Sequence, residues 1–415
     1  MRTTGSRTTR LLPRLVCAAA LASLATLGAP AGAYEVLLST QGEYIDGYLV
    51  NGKPFPPRVI VNDPDPHPPG ELTGLPYIGG RHLNGQVCFF PPRARRPGQY
   101  VVADDAYRES CIDVAVPQKR CAITNPLDPF YVGTDPDGWG VFDRTGRWTG
   151  EVLHTDPAFH EPAGQGSKDP QGCVFDAQGR LFATDVGSER PDLNDGSLLV
   201  FFPGPKSDYK TFCFLDKALA SPGMPAMDSR GNIYVPEPQA SKVTVFSGPF
   251  PSSAHDCENA ERLVEKKPTK KDWLKGGGPG GLNFPVSITR APRNHWYVAG
   301  AIFPPIINEY DAKGNFVRNI VPADVPKNPI GMAVGRDRTL YYAELNLDPV
   351  TFNTRCGSVS MVRFDAKGEP LPPVTLGKNL GFPDGLTMID SSKLRIDFKK
   401  LPPSPEGSPE ECGGE

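Results

Sequence analysis

The sequence predicts an all-β protein, and its composition and its repeats carry that prediction. Among 415 residues there are 44 Gly and 47 Pro, well above the combined average of roughly 12%. Residues of these two types interrupt nearly every window in which a long helix could form. Coiled coils and most α/β folds are therefore excluded. The hydrophobic fraction of 39% is still sufficient to fill a core.

The first element, residues 1–33, is predicted to be a signal peptide. Four arginines between Arg2 and Arg14 form a basic region, Leu15 to Leu27 is apolar, and Ala31-Gly32-Ala33 resembles a cleavage site. The apolar run is shorter than the roughly 20 residues that span a bilayer. We therefore expect cleavage after Ala33 and a secreted protein, periplasmic or extracellular.

The charge of the mature chain bears on its partners. Removal of the four leader arginines changes the formal net charge from −3 to −7. A mildly acidic chain without a basic stripe predicts binding neither to nucleic acid nor to an anionic membrane surface. We expect a small-molecule or carbohydrate ligand and a monomeric protein.

The cysteines support export. Of nine cysteines, eight remain once Cys17 is removed with the leader, and an even number in an exported chain predicts disulfides. No pair has the C-x-x-C spacing of zinc ribbons or thioredoxin-like proteins. The connectivity stays open, and the local pairs considered are Cys111–Cys121, Cys213–Cys257 and Cys356–Cys412.

A repeat of short segments fixes the architecture. Each copy has Pro-x-Gly or a relative, an apolar stretch, a turn of the type Asp-x-x-Gly, and a second strand that ends in an acid. The anchoring prolines stand 44 to 63 residues apart (Pro285 to Pro329, and Pro222 to Pro285). Units of this length built from four short strands are typical of β-propeller blades. Five copies open at Pro170, Pro222, Pro285, Pro329 and Pro383, and a divergent one begins before Tyr100.

The six copies predict a six-bladed β-propeller over residues 85–401. The last copy ends near Phe398, short of a full blade. A strand from the N-terminal segment, residues 34–84, is expected to supply the missing outer strand, from either Tyr34–Leu38 or Val59–Val61. Closure of the ring would remove exposed sheet edges. Residues 402–415 are predicted to form a polar, disordered tail.

These motifs resemble the NHL-repeat and gluconolactonase (senescence-marker-protein-like) superfamily of six-bladed propellers, over Asn84 to Phe398. The resemblance implies one divalent cation, held by carboxylate and amide side chains, that polarises a lactone carbonyl. Pro383-Asp384-Gly385 matches the motif that supplies one such ligand, so Asp384 is the candidate catalytic and metal-binding residue. Gln171, Gly223 and Ile330 occupy positions where the family has Asn.

The acids that end the second strands predict a site at one mouth of the channel. Converging carboxylates repel one another unless a hard cation or basic side chains neutralise them, and oxygen ligands favour Ca²⁺. The alternative is that each acid caps its own strand by accepting backbone N–H groups. The candidate metal ligands are Asp384, Asp185, Glu237 and Glu344, the candidate substrate-binding residues are Asp104, Gln171, Asn194 and His82, and His160 is a candidate acid–base partner.

Two classes of function follow from these candidates. One is a cation-dependent hydrolase of a lactone or ester at the channel mouth. The other is a non-enzymatic propeller that binds a polysaccharide, peptide or protein through its face loops. The sequence leaves open which applies, and a lyase or isomerase on the same scaffold cannot be separated from the hydrolase.

Overall fold

The computed structural model describes residues 35–40, 44–49, 58–62, 83–104, 138–146, 148–153, 170–187, 194–259, 262–346, 357–380 and 383–395. All of them belong to one compact unit, residues 34–415. The predicted signal peptide and the predicted tail lie outside the described residues. Within the described part, no helix is long and apolar enough to cross a membrane.

The described strands form six four-stranded antiparallel sheets, which confirms the predicted six-bladed propeller. The first three strands in the chain are β1 Glu35–Thr40, β2 Tyr44–Leu49 and β3 Arg58–Asn62. Five complete blades follow in chain order: blade 1 has β4 Leu83–Phe89, β5 Tyr100–Asp104, β6 Gly138–Phe142 and β7 Trp148–Leu153; blade 2 has β8 Pro170–Phe175, β9 Leu181–Asp185, β10 Gly196–Phe202 and β11 Thr211–Leu219; blade 3 has β12 Ala226–Met227, β13 Ile233–Glu237, β14 Lys242–Ser247 and β15 Thr269–Lys275; blade 4 has β16 Pro285–Arg290, β17 Trp296–Gly300, β18 Ile306–Tyr310 and β19 Phe316–Val321; and blade 5 has β20 Pro329–Val334, β21 Leu340–Glu344, β22 Gly357–Val362 and β23 Val374–Leu380. The last strand is β24 Leu386–Asp390. Short 3-10 segments occur at Pro92–Ala94, Ala254–Cys257, Pro292–Asn294 and Ser391–Lys393.

The sixth blade is built from both ends of the propeller sequence. Its order is β24, β1, β2, β3, with Val36 opposite Ile389 in the β1–β24 pair. The predicted closure by the N-terminal segment is confirmed, but the segment supplies three strands rather than one outer strand. The reason is that the last C-terminal copy contributes only its inner strand to this sheet, so that both candidate segments are used.

The Asp-x-x-Gly motifs form the predicted tight turns between strands. In blade 2, the N–H of Gly179 donates to the carbonyl of Asp176 at 3.1 Å, and Gly179 has φ +88°. The Asp176 carboxylate accepts the N–H groups of Gln178 and Arg180, both at 2.9 Å. The acid therefore accepts the backbone N–H groups that the turn leaves without a partner, and glycine adopts the left-handed conformation that other residues avoid.

The Pro-x-Gly motifs lie where neighbouring blades meet at the channel. A Cβ atom on Gly85 would lie 1.6 Å from the carbonyl oxygen of Gln171, and one on Gly385 would lie 1.4 Å from that of Gly85. Gly223 and Gly331 face neighbouring backbone at 2.0 Å in the same way. Glycine is required at these positions because the backbones of different blades touch there.

Apolar side chains fill the spaces between blades. Phe182 and Leu198 of blade 2, for example, pack in one buried cluster with Ile233 and Val235 of blade 3. The core is thus a series of apolar layers between adjacent sheets. The inner strand of each sheet borders the central channel.

Within the described part of the chain, two disulfides join neighbouring blades. The predicted Cys213–Cys257 bond is confirmed and links β11 to the 3-10 segment Ala254–Cys257. The second bond, Cys88–Cys173, links the inner strands β4 and β8 across a sequence separation of 85 and was not among the pairs considered from the sequence. The other proposed pairs, Cys111–Cys121 and Cys356–Cys412, lie outside the described residues.

Candidate functional site: the central channel

A cavity of about 750 Å³ occupies the channel. Its walls come from the inner strands of all six blades, and most of the side chains are apolar. One representative from each blade is Val87, Val174, Met227, Ile288, Met332 and Met388. The polar groups that line it include Gln86, Thr289 and Thr387. The channel therefore offers an apolar interior to a small molecule.

Asp384 lies at the end of the channel where the inner strands begin. Its side chain is buried, with 1% of the residue exposed. The carboxylate oxygen Oδ2 accepts the backbone N–H of Gly85 at 2.5 Å and the side-chain amide of Gln171 at 3.0 Å. Of the predicted site residues, Asp384 and Gln171 are thus brought into direct contact, and they come from blades 6 and 2.

Thr40 continues this network on the blade 6 side. Its hydroxyl accepts the N–H of Gly385 at 2.7 Å and donates to the carbonyl of Gly85 at 3.1 Å. The backbone carbonyl of Thr40 also accepts the N–H of Asp384 at 3.1 Å. The entrance segments of the first and last blades are therefore held together by hydrogen bonds at one end of the channel.

Glu237 ends β13 and is almost fully buried. One carboxylate oxygen accepts the N–H of Ala220 at 3.1 Å, and the other accepts the hydroxyl of Thr244. Lys242 lies 3.3 Å away. Burial of Lys242 acts to lower its pKa, but the carboxylates of Glu237 and Asp272 outweigh this effect, and its pKa is raised. Glu237 is thus neutralised within its own blade.

Glu344 and Asp185 have similar surroundings at the ends of β21 and β9. Glu344 accepts the N–H of Lys327 at 2.8 Å and the hydroxyls of Ser358 and Ser360 at 2.6 and 2.9 Å. Asp185 accepts the N–H of Gly187 at 3.0 Å. Like Glu237, both carboxylates accept backbone N–H groups, but only Asp185 accepts one from the end of its own strand, as the capping alternative describes.

The hydrogen-bond partners of the four candidate carboxylates decide whether they can share one cation. Asp384, Asp185, Glu237 and Glu344 belong to four different blades, and each accepts hydrogen bonds from protein donors. Among the described residues, no group of three or more His, Cys, Asp or Glu side chains could hold a metal ion. The four carboxylates therefore do not fit one shared Ca²⁺ ion.

The remaining predicted residues are dispersed. Asn194 is exposed and precedes β10. Asp104 ends β5, but its side chain lies outside what the structure describes. His82 and His160 fall outside the described residues altogether, so their assigned roles stay predictions.

The opposite end of the channel carries aromatic rings and two cations. Phe90 packs against Phe175 at 4.9 Å and against Tyr209 at 5.3 Å between ring centroids. Burial raises the pKa of the Tyr209 hydroxyl, which donates to the carbonyl of Gly179 at 2.7 Å. Arg290 and Lys393 also line the cavity at this end. We call this end, where the inner strands finish, the cationic mouth.

Sequence reasoning did not identify the residues of the channel wall or the cationic mouth. A usable signal was present, because the residues that directly follow the Pro-x-Gly motifs, such as 173–175, 332–334 and 386–388, line the cavity. Lys393 carries no such signal, since it follows the last inner strand in a 3-10 segment.

Comparisons with known proteins give matches among solved structures, each at low sequence identity. No family model matches the chain, and no curated protein matches it. A protein of unknown function from Bacteroides caccae is 13% identical with a TM-score of 0.46, over 86% of this chain and 99% of that chain. A streptogramin B lyase structure is 11% identical with a TM-score of 0.37, over 71% and 68%. A calcium-binding protein, regucalcin, from Agrobacterium tumefaciens is 14% identical with a TM-score of 0.40, over 73% and 75%.

The chain is a six-bladed β-propeller. This is the fold implied by the resemblance to the NHL-repeat and gluconolactonase superfamily, and on that point the expectation is confirmed. The disulfides fit an oxidising, extracytoplasmic environment.

Proposed function

We propose that this protein is an extracytoplasmic binding propeller that takes a small, largely apolar molecule into its central channel. The observation that carries the proposal is the cavity of about 750 Å³ lined by the inner strands. Ligand sites have volumes of about 300–1,000 Å³, apolar walls and a few polar groups. The channel has all three properties.

The walls are suited to binding because they are held in place before a ligand arrives. The Cys88–Cys173 bond joins two neighbouring inner strands, and the Asp384 network joins the first and last blades. A ligand that buries about 300 Å² of apolar surface would gain roughly 7.5 kcal/mol at about 25 cal/mol per Å². Preformed walls reduce the ordering cost that offsets this gain.

A neutral fluorescent probe tests the proposal. N-phenyl-1-naphthylamine should bind the purified protein saturably, with a rise in fluorescence. Thr289→Trp places a large ring on a half-buried residue that lines the cavity, and this variant should lose most of the binding. Val317→Trp is the matched control, because Val317 is 42% exposed on the outer strand of blade 4. No saturable binding, or equal binding in both variants, would refute the channel as the site.

The cation-dependent lactone or ester hydrolase is the second candidate. The burial of Asp384 beside Gln171 at one channel end favours it. Thermal unfolding with EDTA and with added Ca²⁺ tests for a specific ion, since a ligand bound only by the folded state raises the midpoint. Turnover of an aryl ester or lactone that Asp384→Asn abolishes would support the hydrolase. No shift together with no turnover would eliminate it.

A further inference from the structure

The charges that the described residues place around the cavity are all of one sign. Arg290 and Lys393 are the only ionisable side chains among the described residues that line it. No carboxylate of a described residue lines the cavity, although the chain carries 47 Asp and Glu against 44 Lys and Arg. A cation-only rim on an acidic protein provides a local attraction for anions.

Both cations lie at the same end of the channel. Arg290 is the last residue of β16, the inner strand of blade 4. Lys393 follows β24, the inner strand of blade 6, and its ammonium lies 5.5 Å from the ring centroid of Phe89. The inner strands all run from the Asp384 end toward this mouth, so the two cations border the opening and the apolar walls lie behind them.

Neither cation is neutralised by a carboxylate of the described residues. Both residues are exposed, and neither forms an ion pair with a described residue, whereas Arg318 and Arg336 each pair with two carboxylates. A guanidinium binds a carboxylate through two parallel hydrogen bonds. These cations are therefore available to an anion from solution.

We propose that the channel binds an amphipathic anion, with an aliphatic or aromatic tail in the cavity and a carboxylate or similar head group at Arg290 and Lys393. This inference rests on the proposed binding function and specifies its ligand class. The tail gains free energy by leaving water. The head group stays at the mouth, where it keeps part of its hydration and avoids the penalty for burying an unpaired charge.

Probes with one tail and different head groups test the inference. Decanoate, decanol and decylammonium are titrated against the protein loaded with N-phenyl-1-naphthylamine. Decanoate should displace the probe at a concentration at least about tenfold lower than decanol, because charge-assisted hydrogen bonds hold the head group. Decylammonium should be the weakest competitor. The preference for decanoate should decrease as salt is added.

Variants at the mouth separate this inference from the general binding function. In Arg290→Met/Lys393→Met, the displacing concentrations of decanoate and decanol should become about equal, and this ratio is independent of any change in the affinity for the neutral probe. The control Lys313→Met/Lys367→Met removes two exposed cations from turns in blades 4 and 5 and should retain the preference.

The outcomes are distinguishable. If the neutral probe binds in the channel but decanoate shows no advantage, or if the advantage persists in Arg290→Met/Lys393→Met, the anion proposal is wrong and the binding function stands. An equal loss in the control pair would show that only net charge matters and would also overturn it. If the neutral probe does not bind, both proposals fail.

Discussion

The carboxylate of Asp384 accepts the backbone N–H of Gly85 at 2.5 Å, although 299 residues separate the two in sequence. Gly85 lies in the first blade, and Asp384 lies immediately before the inner strand of the last. The bond therefore crosses the junction at which the ring closes. Because it is buried, its loss has consequences for the stability of the whole propeller.

Asp384→Ala should destabilise the protein by about 1–3 kcal/mol, because it leaves the buried N–H of Gly85 and the amide of Gln171 without this acceptor. Asp384→Asn keeps an acceptor oxygen and should be less destabilised. Urea unfolding measures both variants. Equal stability of Asp384→Ala and the wild type would contradict the assigned role of the carboxylate.

Gly385→Ala should destabilise the protein by more than about 2 kcal/mol through overpacking, since its Cβ would meet the carbonyl oxygen of Gly85 at 1.4 Å. Gly278→Ala is the matched control, because the nearest atom to its Cβ would be a carbonyl oxygen at 3.6 Å. The control should stay within about 0.5 kcal/mol of the wild type. Similar unfolding midpoints for the two variants would show that the blades do not touch at Gly385.

The two disulfides should differ in their effect on binding more than in their effect on stability. Their sequence separations of 85 and 44 residues predict losses of roughly 4–5 kcal/mol on removal of either bond in the chain-entropy model. Of these two described bonds, Cys88–Cys173 lines the cavity and Cys213–Cys257 does not. Cys88→Ala/Cys173→Ala should therefore weaken binding of the neutral probe, whereas Cys213→Ala/Cys257→Ala should not. Equal probe affinities under folding conditions would contradict this.

Asp390 should make stability depend on pH in the acid range. Hydrogen bonds from Ser392 and the guanidinium of Arg336 lower the pKa of its carboxyl to about 2, from an ordinary value of 3.8. The folded state thus favours the ionised form. The resulting stabilisation is fully present above the ordinary pKa and is lost as pH falls from about 4 to about 2.

Comparison with Asp390→Asn measures this effect. The difference in free energy of unfolding between the wild type and the variant should decrease over that pH interval. Arg336→Met should remove only part of the dependence, because the Ser392 bonds remain. A difference that is constant from pH 5 to pH 2 would exclude Asp390 as the source.

The parts of the fold that the sequence predicts are those that depend on local chemistry. Asp-x-x-Gly turns are complete within five residues, as the bonds around Asp176 show, so the blades could be counted. The strands β1, β2 and β3 of the sixth blade lack these motifs. Three of them are needed because the C-terminal copy, far away in the sequence, contributes only β24 to this sheet. The Cys88–Cys173 bond joins different blades and has no local signal.

The candidate site was predictable to a smaller extent. The sequence indicates that Glu237 and Glu344 end strands, but not that Ala220 and Lys327 donate backbone N–H groups to them. Those donors come from the connections between blades, whose path depends on the assembled ring. Asp384 and Gln171 were selected because both are the middle residue of a Pro-x-Gly motif. Their contact follows from the closeness of these motifs at one end of the channel.

The pairing of β1 with β24 also determines the order in which the protein can fold. Gly385 and Thr40 bond to each other across 345 residues, so a ribosome must complete five blades before the first three strands can join a finished sheet. Contacts between such distant segments form slowly. Until then one edge of β1 is open to pairing with any other extended chain. In an interrupted or shortened polypeptide, β1 can therefore pair with β24 of a second copy, which is domain swapping. The earliest strands to be synthesised are the last to be incorporated.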